Sequence, residues 1–274
     1  MWASATMTIV LTFTAIACYF AATMLLLRRL AAGATANELP RLPALLLGLA
    51  GVALHGFLLH KAVFLPFGLN LHFFSMISLI TWLAALLLLL AVLSQPVENL
   101  GNIIFPLSAL GLVMQTLWPM SDSNLVSLST EVQIHVLISV LAYSLLALAA
   151  VQAMLLAVQD HQLRNRHPGG FIRALPPLET MEKLLFRMIG LGFLLLSLSL
   201  LTGFLYLEDI FAQHLVHKTV LSVIAWAVFA VLLWGRWRFG WRGRKAITWS
   251  LAGFIVLMIA YLGSKLVLEL ILQH

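Results

Sequence analysis

The chain has 274 residues, of which 62% are hydrophobic and only 9% charged, with a net charge of +6 and a mean hydropathy of +1.03. A soluble domain carries about 25% charged residues, so this composition excludes one. The basic residues sit in short loops between apolar runs, which points to membrane orientation and not to nucleic acid.

A spanning helix needs about 20 mostly apolar residues, and eight such stretches are predicted. The first, about 7–27, holds the single cysteine, Cys18, which excludes an internal disulfide. Arg28 and Arg29 follow this stretch instead of preceding it, so it reads as a retained span and not a cleaved leader. The second, about 42–63, follows Pro40 and contains His55, His60 and Lys61. Rising 1.5 Å per residue, it would leave His55 about 10 Å below the far surface of a hydrocarbon core about 30 Å thick. The third, about 71–93, opens on the same side with His72. The fourth, about 102–118, is interrupted by Asn102, Pro106 and Gln115.

The fifth span, about 134–158, opens with His135, and Ser139 and Tyr143 continue a polar stripe at four-residue spacing. A polar, proline-broken loop follows, with His161 and His167. From Pro177 it reads as an amphipathic helix start, in which Glu179 and Lys183 can pair. The sixth span, about 185–207, leads to His214 and His217. The seventh, about 218–235, carries the stripe Lys218, Ser222 and Trp226. Trp234, Trp237, Trp241 and Trp249 flank an arginine-rich loop and read as interfacial belt residues that could also meet anionic headgroups. The eighth span runs from about 246 to 270, ahead of the terminal His274.

Orientation follows from the loops. Arg28, Arg29, Arg41, Arg164, Arg166, Arg173, Lys183, Arg236, Arg238, Arg242, Arg244 and Lys245 fall on one side, and only Lys61, Lys218 and Lys265 on the other. Basic residues stay inside, so both termini are expected outside, in the periplasm. The predicted fold is therefore all-α: a polytopic membrane bundle of eight transmembrane helices forming one transmembrane domain over 1–274. Six histidines, His55, His60, His72, His135, His214 and His217, then fall in or near the outer half of the membrane. Ionisable side chains there are rare and point to function, and neutral imidazole is a common ligand for iron and other metals.

Other chemistries have little support. The chain lacks a Gly-x-Ser-x-Gly elbow, a phosphate-binding glycine loop and a His-Glu-x-x-His helix. Carboxylates are nearly absent from the spans, and Glu269 sits close to the last helix end. That disfavours hard cations and proton-coupled transport.

The segment His135-Val-Leu-Ile-Ser-Val-Leu-Ala-Tyr-Ser144 resembles the histidine-to-tyrosine helix of the cytochrome c assembly, haem-handling membrane proteins, the group that includes CcsA, CcmC and HemX. His217-Lys-Thr-Val-Leu-Ser-Val-Ile-Ala-Trp226, Gly240-Trp-Arg-Gly-Arg244, Ala252-Gly-Phe254 and Tyr261-Leu-Gly263 continue the likeness. Within that family the chain is similar to the YpjD-like inner membrane proteins, with a family-like core at about 40–270. The resemblance implies location in the cell inner membrane and a haem, of type b, bound by paired histidines. By position, His135 and His217 are the candidate ligands of the haem iron. His55 and His72 are candidates for a second haem or for support of the first, and Lys61, Lys218 and Lys265, the outer basic groups, are candidate partners for the propionates. Members that ligate haem to cytochrome c carry a tryptophan-rich external signature. Stretches 119–133 and 208–216 hold no tryptophan, and Trp234 stands where those members often have histidine, which speaks against direct cytochrome c maturation. The competing expectation is a non-haem accessory or transport protein, linked to divalent metals.

Overall fold

The computed structural model describes residues 2–33, 35, 39–65, 68–69, 72–118, 129–165, 169–206 and 213–263. Eight helices account for nearly all of them: α1 (Trp2–Ala32), α2 (Leu42–Val63), α3 (Phe73–Val92), α4 (Gly101–Leu117), α5 (Thr130–Arg164), α6 (Leu178–Tyr206), α7 (Gln213–Phe239) and α8 (Arg244–Met258). Each includes or belongs to a segment long and apolar enough to cross a membrane. The protein is an all-helical, multi-pass membrane protein with the eight spans expected from its hydropathy. Phe64–Leu65 and Gly68–Leu69 pair as a two-residue antiparallel ladder after α2, and a five-residue π-turn, Ile259–Gly263, follows α8. In hydrocarbon every backbone polar group must be satisfied within its own segment, which is why the spans are helices.

The chain divides into two compact units. The first comprises residues 1–127 and the strap 168–176, in which Gly170–Ala174 form a 3-10 turn packed against α1. Its helices approach closely at small residues, as membrane helices do when lipid offers no hydrophobic drive for association. Gly48 lies against the Phe105 ring and Gly51 against Tyr19, so α2 nests on α1 and α4. Two bonds tie the helices across their backbones: Trp82 Nε1 donates to the Val52 carbonyl at 2.8 Å, and the Ser108 hydroxyl to that of Thr81 at 2.9 Å. Despite Pro106, α4 is continuous.

The second unit comprises residues 128–167 and 177–274. Here α5 packs along α6 and against α8, while α7 lies on α6 and α8. The amphipathic lead-in and the sixth span are one helix: α6 begins directly after Pro177, and Glu179 pairs with Lys183 at 2.8 Å. Next to that pair, Glu182 is buried and ties the start of α6 to the turn between α7 and α8. One carboxylate oxygen accepts the Gly243 backbone N–H at 2.6 Å, and the other accepts Arg242 Nε at 2.8 Å. The carboxylate holds the Arg242 guanidinium above its already high ordinary pKa. Gly243 has φ +54 and ψ −130, a conformation open only to glycine, and this aims its N–H at Glu182. Trp241 of the same turn packs on Trp249 of α8, whereas Trp234 and Trp237 are exposed.

Candidate functional site

Histidines occur in both units, in different surroundings. In the first, His55 lies on α2 with 0% exposure. Its Nδ1 is 3.2 Å from the Tyr19 hydroxyl of α1, and its Nε2 is 2.8 Å from the Ser78 hydroxyl of α3. Tyr19 is itself held by stacking on Phe105, with ring centroids 5.8 Å apart. Both nitrogens of His55 are thus engaged by hydroxyls from neighbouring helices. His72 caps the start of α3, half-buried, with its ring 5.7 Å from Phe74, which stacks on Trp118. His60 and Lys61 are exposed at the end of α2, Lys61 lying over the Phe57 ring.

In the second unit, His135 stands in the second turn of α5 and faces α6. Its Nδ1 is 3.1 Å from Thr202 Oγ1. Its Nε2 has Ser139 Oγ at 3.5 Å, the outer limit of a hydrogen bond. The Ser139 hydroxyl has shorter contacts, to the His135 carbonyl at 2.6 Å and to Ser199 Oγ at 2.7 Å. Gly203 makes room for the ring, since a Cβ there would come within 3.0 Å of His135 Cε1. A turn further along the stripe, Tyr143 is buried and packs on Phe254 and Tyr261 instead.

His217 is exposed near the start of α7, and Lys218 beside it is half-buried. Further along α7, Trp226 stacks on Phe193 of α6 and donates to Ser197 Oγ at 2.8 Å, which docks the helix. The His214 side chain and residues His167, Lys265 and His274 lie outside the described residues. His161 accepts from Asn165 Nδ2 at 3.0 Å, at the far end of α5. Among the described residues, no three of histidine, cysteine, aspartate and glutamate gather into a metal-binding group.

The residues that complete the His135 surroundings were not singled out from sequence. Ser199, Thr202 and Gly203 stand at i, i+3 and i+4 in a mostly apolar span, which is one helix face. A polar and small stripe inside a span is the signal that could have found them.

Residues 43–272 match the family model of the cytochrome c assembly protein. The chain belongs to that family. It is 35% identical over 169 residues to the inner membrane protein YpjD of Escherichia coli K12, covering 62% of this chain and 64% of that protein. A 28.8 kDa protein of Azospirillum brasilense, from a nifR3-like 5' region, is 34% identical over 143 residues, 52% of this chain and 53% of its own. The cytochrome c biogenesis protein CcsA of Microcystis aeruginosa is 34% identical over 90 residues, 32% of this chain and 27% of that protein. The chain thus spans less than two thirds of the length of the relatives it matches. No solved structure matches it. As a family member, the chain has its matched region starting in the second span and running through the two helices that carry His135 and His217.

Proposed function

We propose that this member of the cytochrome c assembly family binds and handles haem in the inner membrane, and that His135 and His217 would hold the haem iron. The observation that carries the reading is the state of His135. One ring nitrogen is bonded to Thr202, the Ser199 carbonyl also faces the ring, and among the described residues the other nitrogen has a hydroxyl no nearer than 3.5 Å, while Gly203 leaves the ring space. A haem asks the protein for only one or two axial side chains, because the porphyrin supplies the other iron ligands. A lone oriented imidazole suits that demand. When bound, the haem would supply a redox-active iron.

His217 opens α7 in the same unit, and alternation of the spans puts the starts of α5 and α7 on one side of the membrane. With the basic loops inside, that side is the periplasmic one. Lys218 supplies a cation for a propionate there. His55 would become a ligand only by giving up Tyr19 or Ser78, so we assign it to the packing of the first unit. Family membership and the YpjD likeness support the haem and inner-membrane parts of this reading.

The test is the visible spectrum of the purified full-length protein, oxidised and reduced. A haem Soret band is expected, with His135→Ala abolishing or shifting it and His161→Ala leaving it unchanged. Absence of the band after haem reconstitution would overturn the haem reading. Unchanged spectra in both His135→Ala and His217→Ala would remove this ligand pair.

A further inference from the structure

One imidazole and three hydroxyls meet at the α5–α6 contact, and their hydrogens can be assigned in turn. Thr202 has one hydroxyl hydrogen, with two carbonyls of its own helix in reach, Leu198 at 2.9 Å and Ser199 at 3.0 Å. Such back-bonding is common for threonine inside helices. It leaves Oγ1 able only to accept from a neighbour. His135 Nδ1, 3.1 Å away, is then placed to carry the proton and donate it, and the Ser199 carbonyl beside the ring is a further acceptor for an imidazole N–H. A neutral imidazole has one N–H, so Nε2 is bare.

Among the described residues, no group takes that lone pair with good geometry. The single hydrogen of Ser139 has two closer acceptors, the His135 carbonyl at 2.6 Å and Ser199 Oγ at 2.7 Å, against 3.5 Å to Nε2. On the other side, the ring edge runs over Gly203, where a methyl group would crowd Cε1 at 3.0 Å. The ring is held by its Nδ1 edge and its lone pair is kept open.

We propose that Thr202 is a positioning residue for the His135 ligand: it fixes the Nδ1–H tautomer and so makes Nε2 the nitrogen offered to iron. This inference rests on the haem reading above. Metal-binding histidines commonly donate their second N–H to an oxygen, which orients the ring and raises its basicity. Here that oxygen belongs to a neighbouring helix, so ligand orientation depends on the α5–α6 register.

Free histidine in water favours the Nε2–H tautomer, so an Nδ1–H form at His135 is diagnostic. The first measurement is ring 15N NMR of the haem-free, full-length protein, with His135 assigned by its loss in His135→Gln. The Nδ1–H form is expected in the natural protein and in Thr202→Ser, which keeps the hydroxyl, and a shift toward Nε2–H is expected in Thr202→Val. With haem added, Thr202→Val should weaken retention about 10–100-fold and raise the midpoint potential, because a less basic imidazole favours ferric iron less. Thr202→Ser should stay near the natural protein in both. A proton on Nε2 in the natural protein overturns the inference even if Thr202→Val fails to fold. Haem bound through His135, with tautomer, retention and potential all unchanged in Thr202→Val, overturns this inference alone. If the tautomer follows Thr202 but no haem binds, the haem reading fails, and the ligand role fails with it.

Discussion

Both nitrogens of an imidazole packed between helices need attention, one as donor and one as acceptor, and the buried His55 and the half-buried His135 meet that need differently. His55 is closed, with a hydroxyl on each nitrogen. Among the described residues, His135 has a close hydroxyl on Nδ1 and one at 3.5 Å from Nε2. Removing one hydroxyl at His55, by Tyr19→Phe or Ser78→Ala, should cost about 0.6 kcal/mol and at most about 1.7, the range for hydrogen bonds between membrane helices. Unfolding in mixed micelles measures that cost, and any haem spectrum should stay unchanged in both variants. A shifted spectrum would instead make His55 a ligand. Depth alone predicted from sequence that His55 faces protein, because an imidazole in hydrocarbon needs a partner. Its partners were not legible: Tyr19 and Ser78 lie 36 and 23 residues away, and their contact depends on helix rotation, which hydropathy does not encode.

Among the elements, the turn between α7 and α8 is fixed by a buried carboxylate and a positive-φ glycine. The buried Glu182 carboxylate accepts a backbone N–H and a guanidinium that is itself half-exposed. Glu182→Ala should destabilise the protein by about 1–3 kcal/mol, since it leaves a donor without its charged acceptor. Arg242→Ala should cost less, because water can replace a half-exposed partner. Thermal unfolding of the two variants in detergent checks the order, and equal losses would mean that the Gly243 bond contributes little. The helices themselves were readable from apolar run length. Their ends were less so: hydropathy starts the sixth span near 185, whereas the helix start at Pro177 leads directly into it and α6 runs unbroken from Leu178 to Tyr206. A proline in the first turn costs no hydrogen bond and starts a helix without ending one. Pro106 was read as an interruption of the fourth span, and α4 runs through it because neighbouring helices in a membrane can re-satisfy what a proline frees.

At the scale of the whole molecule, the basic residues make the orientation testable. Reporter fusions at Gly33, Gly170 and Gly240 should all report cytoplasm, and one near Asn124 should report periplasm. A cytoplasmic signal at Asn124 would overturn the orientation. The number of spans was legible because each needs one long apolar run. The place of the strap 168–176 was not, because it leaves the second unit in sequence and packs with the first, burying Ile172 and Leu175. If the gene is cut between codons 119 and 128, the downstream product carries off a piece of the upstream fold. The upstream half made alone should therefore be degraded, and co-expression of the two halves should rescue it in trans.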